Sequence, residues 1–353
     1  MSASPTFLVT GASGLLGRLV VEHLLAARAG KVIAASRNPA KLADLAAKGA
    51  ETRRADFDDP ASLDAAFKGV DRLLIVSTDA LDEPGKRQRQ HKAAVAAAAR
   101  AHVGHVVYTS MPNPEPGSLI PFAPDHYETE QALTKSGLPH TILRVSWYAE
   151  NLLRSLPSIL PTGKWYSSAG EGRVANIARD DVARAAAAAL IKAPGGRFDL
   201  TGPELLTTRQ IAAIVAAVFA KPVEVVPVSD EQLLAGLNAA GVPKIFAELG
   251  VAFDANTRAG KIDLISDAVL KLTGAPPTPL REVLAANKSA LAACDLRPRV
   301  REAGGVPLPP RRPPLFQRRR DAPTPKSERR LRILRRPSPP PSPVGAPLRR
   351  RVR

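Results

Sequence analysis

The 353-residue sequence predicts an α/β fold: a doubly wound parallel sheet followed by a smaller C-terminal α/β lobe. Three observations carry that expectation. Short apolar runs alternate with helix-length stretches from Phe7 to Val145. One run, Arg72–Ser77 (RLLIVS), is apolar through its middle without alternation, as a strand covered on both faces must be. The first run leads into Gly11-Ala12-Ser13-Gly14-Leu15-Leu16-Gly17, which opens directly onto an apolar helical pattern at Leu15, Leu16, Leu19, Val20 and Leu24.

The elements follow in order. Phe7–Thr10 reads as the first strand and the stretch from Leu15 as the first helix. Lys31–Ser36 is the second strand, and Pro39–Lys48 a helix with proline at its first turn. Glu51–Asp56 is the third strand; Asp59-Pro60 starts a short helix through Phe67. After Arg72–Ser77 comes the long Ala-rich helix Lys86–Ala101, then the strand His105–Ser110. A helix near Asp125–Ser136 precedes the sixth strand, His140–Arg144. Beyond Val145 the rhythm changes. Asn151–Leu160, Asp180–Ile191 and Thr208–Phe219 read as helices, Phe198–Leu200 and Val223–Val228 as short strands. The remainder to Ala293 is mostly helical, with Gly and Pro breaks. This divides the chain into a sheet domain (1–150), a smaller lobe over the open end of the sheet (151–294) and a tail (295–353). Such folds bind ligands outside the strand C-termini.

Charge is concentrated in the tail. Residues 295–353 hold 18 basic residues against four acids, a net +14, which leaves +3 of the chain's +17 to residues 1–294. The tail also has 14 prolines and one aromatic, Phe316, a composition that cannot bury a core and reads as disordered. Three readings stay open for it: non-specific electrostatic binding of nucleic acid, a solvated appendage, or translation in a shifted frame of GC-rich DNA, which the Arg and Pro bias resembles. Cys294 is the one cysteine, which excludes an intrachain disulfide and a cysteine metal cluster. The six histidines lack metal-ligand spacing, so no metal is expected. No apolar run approaches the ~20 residues a membrane span needs, and the N-terminal apolar stretch is itself the first strand. A cytoplasmic protein is the expectation. A homodimer is admitted by the sequence but not required by it.

The glycine turn suggests the ligand. A strand that ends in such a turn and opens into a helix holds a pyrophosphate. Gly11 allows the tight turn, Gly14 lets the backbone approach the phosphates, and Gly17 lets the helix pack close to its strand. The helix N-terminus, with Ser13, Leu15 and Leu16, presents N–H groups to the anion. A site for NAD would place an acid at the end of the second strand. Here that place is Ser36-Arg37-Asn38-Pro39, followed by Lys41, so Arg37 and Lys41 offer charge to a 2′-phosphate and NADPH is the expected cofactor. Asp56 and Phe57 sit where an adenine edge would lie, though Asp56 serves equally as a helix cap. Ser77 and Thr78 end the fourth strand, and Thr109 and Ser110 the fifth, beside the place of the nicotinamide and its ribose.

The chemistry is read from what replaces a familiar pair. Tyr-x-x-x-Lys lowers a tyrosine pKa from about 10 so that it moves a proton near neutrality. In Tyr127-Glu128-Thr129-Glu130-Gln131 the lysine place holds Gln131, which leaves Tyr127 to pack beside the nicotinamide or to cap its helix. A quinone takes a hydride directly and needs orientation and a donor more than a tuned acid. Trp147, Tyr148 and Asn151, after the sixth strand, would offer aromatic faces and a donor amide to it; Trp147 and Tyr148 serve equally as hinge packing between the lobes. No catalytic residue is secured.

The GASGLLG turn, SRNPAKL, LLIVS, VVYTS, the run His126–Glu130 and the cluster Arg144, Trp147, Tyr148, Glu150, Asn151 together resemble the NmrA-like atypical short-chain dehydrogenase/reductases, in particular their NAD(P)H:quinone oxidoreductase type 2 branch. The resemblance runs from about residue 5 to residue 293, including Leu272-Thr273-Gly274 and Pro279-Leu280. It implies a Rossmann domain with a small lobe, NADPH at the glycine turn and Arg37, and two-electron reduction of a small-molecule acceptor without flavin or metal. One departure is Val145-Ser146, where the family often has Asn-Gly. The same superfamily includes dinucleotide-binding regulators without turnover, which is the non-enzyme alternative.

Overall fold

A computed structural model describes residues 4–81 and 83–289. The expectations for Cys294 and for the tail 295–353 lie outside the described residues.

The chain begins β1 (Thr6–Val9), α1 (Leu15–Ala26), β2 (Lys31–Ser36), α2 (Ala43–Ala47), β3 (Glu51–Arg54), α3 (Pro60–Phe67), β4 (Arg72–Ile75), α4 (Lys86–Arg100), β5 (His105–Ser110), α5 (Ala123–Ser136) and β6 (His140–Val145). Then follow α6 (Leu156–Thr162), β7 (Lys164–Ser167), β8 (Arg173–Val174), α7 (Arg179–Lys192), β9 (Gly196–Leu200), β10 (Leu206–Thr207), α8 (Thr208–Phe219), β11 (Glu224–Pro227), α9 (Asp230–Ala239), α10 (Lys244–Arg258), α11 (Ala268–Thr273) and α12 (Leu280–Ala286).

Seven strands form one sheet in the order β3-β2-β1-β4-β5-β6-β9, every pair parallel. The order reverses between β1 and β4, which opens a crevice beyond their C-terminal ends. Period-two alternation gives each strand to both faces. Phe7 and Val9 pack with α1 and α7 on one side, and Leu8 packs with α3 and α4 on the other. Both sides are therefore dry, and a Rossmann-type doubly wound sheet results.

Local chemistry sets the ends. Asp59 accepts from the Ser62 N–H and Pro60 begins α3; Thr207–Gln210 and Ser229–Gln232 close capping boxes on α8 and α9. Two expected helices are shorter than their patterns. Pro39–Leu42 is a 3-10 turn before α2, and Ala149–Arg154 is another before α6, where Pro157 enters at the first turn.

One placement changes. Phe198–Leu200, expected in the lobe, lies in β9, which pairs with β6 through Leu143↔Phe198 and Val145↔Leu200. Its crossover helix α7 packs against α1 in the same core. The large sheet thus draws on residues past the 150 boundary. The lobe has its own core around Leu156, Ile211, Val215, Ile262 and Leu284. Its two-stranded sheets are β8–β10, antiparallel, and β7–β11, parallel; β8 and β10 are too short to show a period. Among the described residues no helix is long and apolar enough to cross a membrane.

Candidate functional site

The site begins where β1 stops. Thr10 donates its backbone N–H to the Leu74 carbonyl at 3.0 Å, and Ala12 donates to the Ala35 carbonyl at 3.0 Å, so the turn is tied to β4 and β2. Between them Gly11 adopts φ +62°, left-handed backbone that disfavours any side chain. Gly14 N–H donates back to the Gly11 carbonyl at 2.8 Å. A Cβ on Gly17 would stand 2.5 Å from the Gly11 carbonyl oxygen, so only glycine lets α1 approach the turn this closely. Gly14 precedes α1 with no side-chain cap, and the first turn carries no acid. The helix N-terminus is left with free N–H groups and its partial positive charge, an arrangement that accepts a pyrophosphate.

The crevice in front of this turn has a volume of about 510 Å³, within the range of cofactor pockets. The structure brings Gly11, Ser13, Gly14, Arg37, Asp56, Phe57, Ser77 and Thr78 together on its wall. Ser36 Oγ donates to Ser13 Oγ at 3.1 Å and fixes the turn against the end of β2. Arg37 follows directly, exposed and with no hydrogen bond or ion pair among the described residues. Asp56 makes a local turn instead of standing open: its Oδ1 accepts from the Asp58 N–H at 3.1 Å, and Arg54 reaches its Oδ2 at 3.4 Å.

Leu15 and Leu16 open α1 and belong to the site through their backbone N–H groups alone: the Leu16 side chain is buried in the core and the Leu15 side chain is exposed. Other expected residues do not line the crevice. Lys41 is exposed on the 3-10 turn and is not among the crevice residues. Thr109 is buried behind Ser77, whose N–H its hydroxyl accepts at 2.9 Å. Ser110 is also buried and donates to Glu130 Oε1 at 2.6 Å. Glu130 in turn receives Arg144 through two bonds, Nε at 3.0 Å and Nη2 at 2.7 Å. This pair ties α5 to β6 inside the protein, and Arg144 and Glu115 join it at the rim, where the guanidinium holds the Glu115 carboxyl below its usual range against the opposing effect of burial.

Tyr127 is half-buried and makes no side-chain hydrogen bond among the described residues. Trp147 stands between the sheet and the lobe, its ring 4.9 Å from Phe253 of α10, which meets Phe122 at 6.2 Å. Its indole N–H is buried with no partner among the described residues. Tyr148 packs on the sheet core with the Arg179 guanidinium 4.6 Å above its ring, and burial pushes its phenol up to about 12. Asn151 is exposed.

A buried polar network stands behind Thr78, and no motif marks it. His91 Nε2 lies 3.0 Å from the Thr78 N–H and its Nδ1 3.0 Å from Thr129 Oγ1. Tyr108 Oη lies 2.9 Å from His126 Nδ1, and Arg87 donates to His126 Nε2 at 2.7 Å. Burial, with Arg87 close by, holds His91 down to about 3 and His126 well below its ordinary value, so both are neutral. Gln90 and Lys86 of the same helix also reach the crevice. Helix periodicity alone would have placed Arg87, Gln90 and His91 on one face. Among the described residues no group of His, Cys, Asp and Glu is arranged to hold a metal ion.

The chain is similar to known NAD(P)H-binding proteins. A family model described as NAD(P)H-binding matches residues 11–193, more than half of the chain. Quinone oxidoreductase 2 of Escherichia coli is 36% identical over 277 residues, 78% of this chain and 96% of that protein. An NAD(P)H azoreductase of Xenophilus azovorans is 30% identical, covering 81% of this chain and 99% of its own length. The solved structure of the NADPH-dependent quinone oxidoreductase of Escherichia coli, complexed with NADPH, superposes with a TM-score of 0.75 at 35% identity, over 79% of this chain and 99% of the other.

Proposed function

The chain belongs to the NmrA-like family of NAD(P)H-binding oxidoreductases, and from that premise we propose that it binds NADPH in the β1–β4 crevice and reduces a quinone-type acceptor. The observation that carries the cofactor choice is Arg37. It stands at the end of β2, on the crevice wall, with no carboxylate paired to it and none in the place that would repel a 2′-phosphate. The turn Gly11–Gly17 takes the pyrophosphate on the α1 N-terminus, and Phe57 offers an apolar face to the adenine. Ser77 and Thr78 border the nicotinamide half.

When bound, NADPH supplies a hydride. The chain's own residues orient the partners. Gln131 occupies the place where a lysine would tune Tyr127, so that pair is not there to protonate an alkoxide as it forms. A quinone does not need one, because its reduced anion is stabilised by resonance. Trp147, packed with Phe253 where the sheet meets the lobe, would give the acceptor an aromatic face.

The test is to incubate the full chain with NADPH and a panel of benzoquinones and naphthoquinones while following absorbance at 340 nm. Acceptor-dependent oxidation supports the reading. Tight NADPH binding with no turnover on any acceptor would instead support a dinucleotide-sensing regulator.

A further inference from the structure

The crevice wall past the end of β4 is held in an unusual way. The pairing of β4 with its neighbours runs to Ile75, and Val76, Ser77 and Thr78 line the crevice beyond it. Three successive backbone N–H groups there have no carbonyl partner. Each is received by a side chain from a different element: Val76 by Thr10 Oγ1 at 3.0 Å, Ser77 by Thr109 Oγ1 at 2.9 Å, and Thr78 by His91 Nε2 at 3.0 Å. All three acceptor residues are buried. The wall's backbone donors are therefore tied back into the protein, and its hydroxyls lean the same way: Ser77 Oγ accepts from Thr109 Oγ1 at 3.4 Å, and Thr78 Oγ1 lies 3.4 Å from His91 Nε2.

His91 accepts only in one proton arrangement, and its surroundings dictate that arrangement. The Thr78 N–H points at Nε2, so Nε2 carries the lone pair and Nδ1 the proton. Thr129 Oγ1 receives that proton at 3.0 Å and passes its own to the Asp125 carbonyl at 2.6 Å. At the far end Arg87, which can only donate, faces His126 Nε2, so His126 also carries its proton on Nδ1 and gives it to Tyr108 Oη. Arg87 is buried, stacked 4.9 Å from the centre of the Phe122 ring, and has no carboxylate in hydrogen-bond reach among the described residues. Its charge disfavours a second proton on either imidazole. The same assignment shows that the network does not relay protons to the crevice, because His91 Nε2 has none to give.

We propose that His91 is a positioning residue for cofactor binding: with Thr10 and Thr109 it fixes the Val76–Thr78 wall, and Arg87 locks the proton arrangement that keeps its Nε2 lone pair on the Thr78 amide. This rests on the reading that the crevice takes NADPH.

The experiment compares NADPH affinity and ligand-free Tm of the full chain as wild type, His91→Leu and His91→Gln. Leucine removes the acceptor; the glutamine Oε1 accepts the same N–H. A freed buried donor lets the wall relax, and binding must restore it, so His91→Leu is expected to weaken NADPH by about tenfold or more and His91→Gln by no more than about threefold. Should His91→Leu fail to fold, Thr109→Val against Thr109→Ser asks the same of the same wall. Folded His91→Leu or Thr109→Val binding NADPH like wild type overturns the proposal, as does His91→Gln binding as weakly as His91→Leu. A second measurement needs no ligand. Histidine ¹⁵N spectra of the wild type are expected to show His91 as the neutral Nδ1–H tautomer at pH 7, and the Nε2–H tautomer would overturn the assignment. A wild type that does not bind NADPH at all refutes the crevice reading instead, and the tautomer then decides the positioning alone.

Discussion

A single methyl group at Gly17 probes the site at its tightest point. An alanine Cβ there would lie 2.5 Å from the Gly11 carbonyl oxygen, 2.7 Å from the Gly11 carbonyl carbon and 3.0 Å from Ala12 Cα. All three are backbone atoms of the turn, so no rotamer change relieves them. Restoring ordinary contact near 3.5 Å requires α1 and the turn to separate by roughly 1 Å. Alanine gains about 1 kcal/mol over glycine in a helix interior, while overpacking of this kind costs about 1–3 kcal/mol, so the net effect on stability is a loss of up to ~2 kcal/mol. In a chain of this size each kcal/mol moves Tm by about 2–4 °C. The effect on binding is larger in consequence, because the displaced atoms are those that present N–H groups to the pyrophosphate. Gly17→Ala is expected to lower Tm by several degrees and weaken NADPH at least tenfold, a loss of about 1.4 kcal/mol. Thermal melting and fluorescence titration with NADPH measure both. Gly236→Ala is the control, since nothing lies within 4 Å of its Cβ position in α9, and it is expected to raise Tm slightly. Gly17→Ala with wild-type affinity and wild-type Tm would refute the reasoning.

Four further outcomes follow from the structure. Arg37→Ala is expected to weaken NADPH by roughly 10- to 100-fold, the worth of about 1.5–3 kcal/mol in charge-assisted bonds, and to leave NADH unchanged; steady-state KM values for the two cofactors check it. Stability should fall on acidification. His91, neutral when folded and held down to about 3, titrates at its ordinary value when unfolded, so its contribution is present above pH ~6.5 and declines by about 1.4 kcal/mol per pH unit below it. Urea unfolding at pH 7 and pH 5.5 measures this, and His91→Gln should flatten the slope. Arg144→Met leaves the Glu130 carboxylate buried without its guanidinium and should cost about 3–5 kcal/mol in chemical denaturation. Trp147→Ala removes the aromatic face, and should raise KM for the acceptor several-fold with NADPH affinity unchanged.

The central sheet was legible because β1, β2, β4, β5 and β6 are runs of mostly buried residues bounded by turn signals. Lys31–Ser36, His105–Ser110 and Thr208–Phe219 have the expected boundaries to the residue. The lobe was less so. Strands such as Arg173–Val174 are set by tertiary pairing and have no period to read. Phe198–Leu200 looked like lobe because it follows the change of rhythm, and only pairing with β6 places it in the sheet. The pattern of legibility is the same at the site. Glycines and the residue after β2 announce themselves by spacing along one strand–turn–helix unit. Thr109, Ser110 and Arg144 do not, because their partners Ser77, Glu130 and Glu115 come from other elements. The network of Arg87, His91, Tyr108 and His126 joins α4, β5 and α5, and no local pattern encodes it.

A crevice that presents NADPH for direct hydride transfer fixes which face of the nicotinamide reacts. Stopped-flow oxidation of NADPH deuterated at the nicotinamide C4, with a naphthoquinone as acceptor, tests it most directly. Acceptor-dependent loss of absorbance at 340 nm is expected, slowed when deuterium occupies one face and not the other. NADPH that binds and is never oxidised by any acceptor would contradict it.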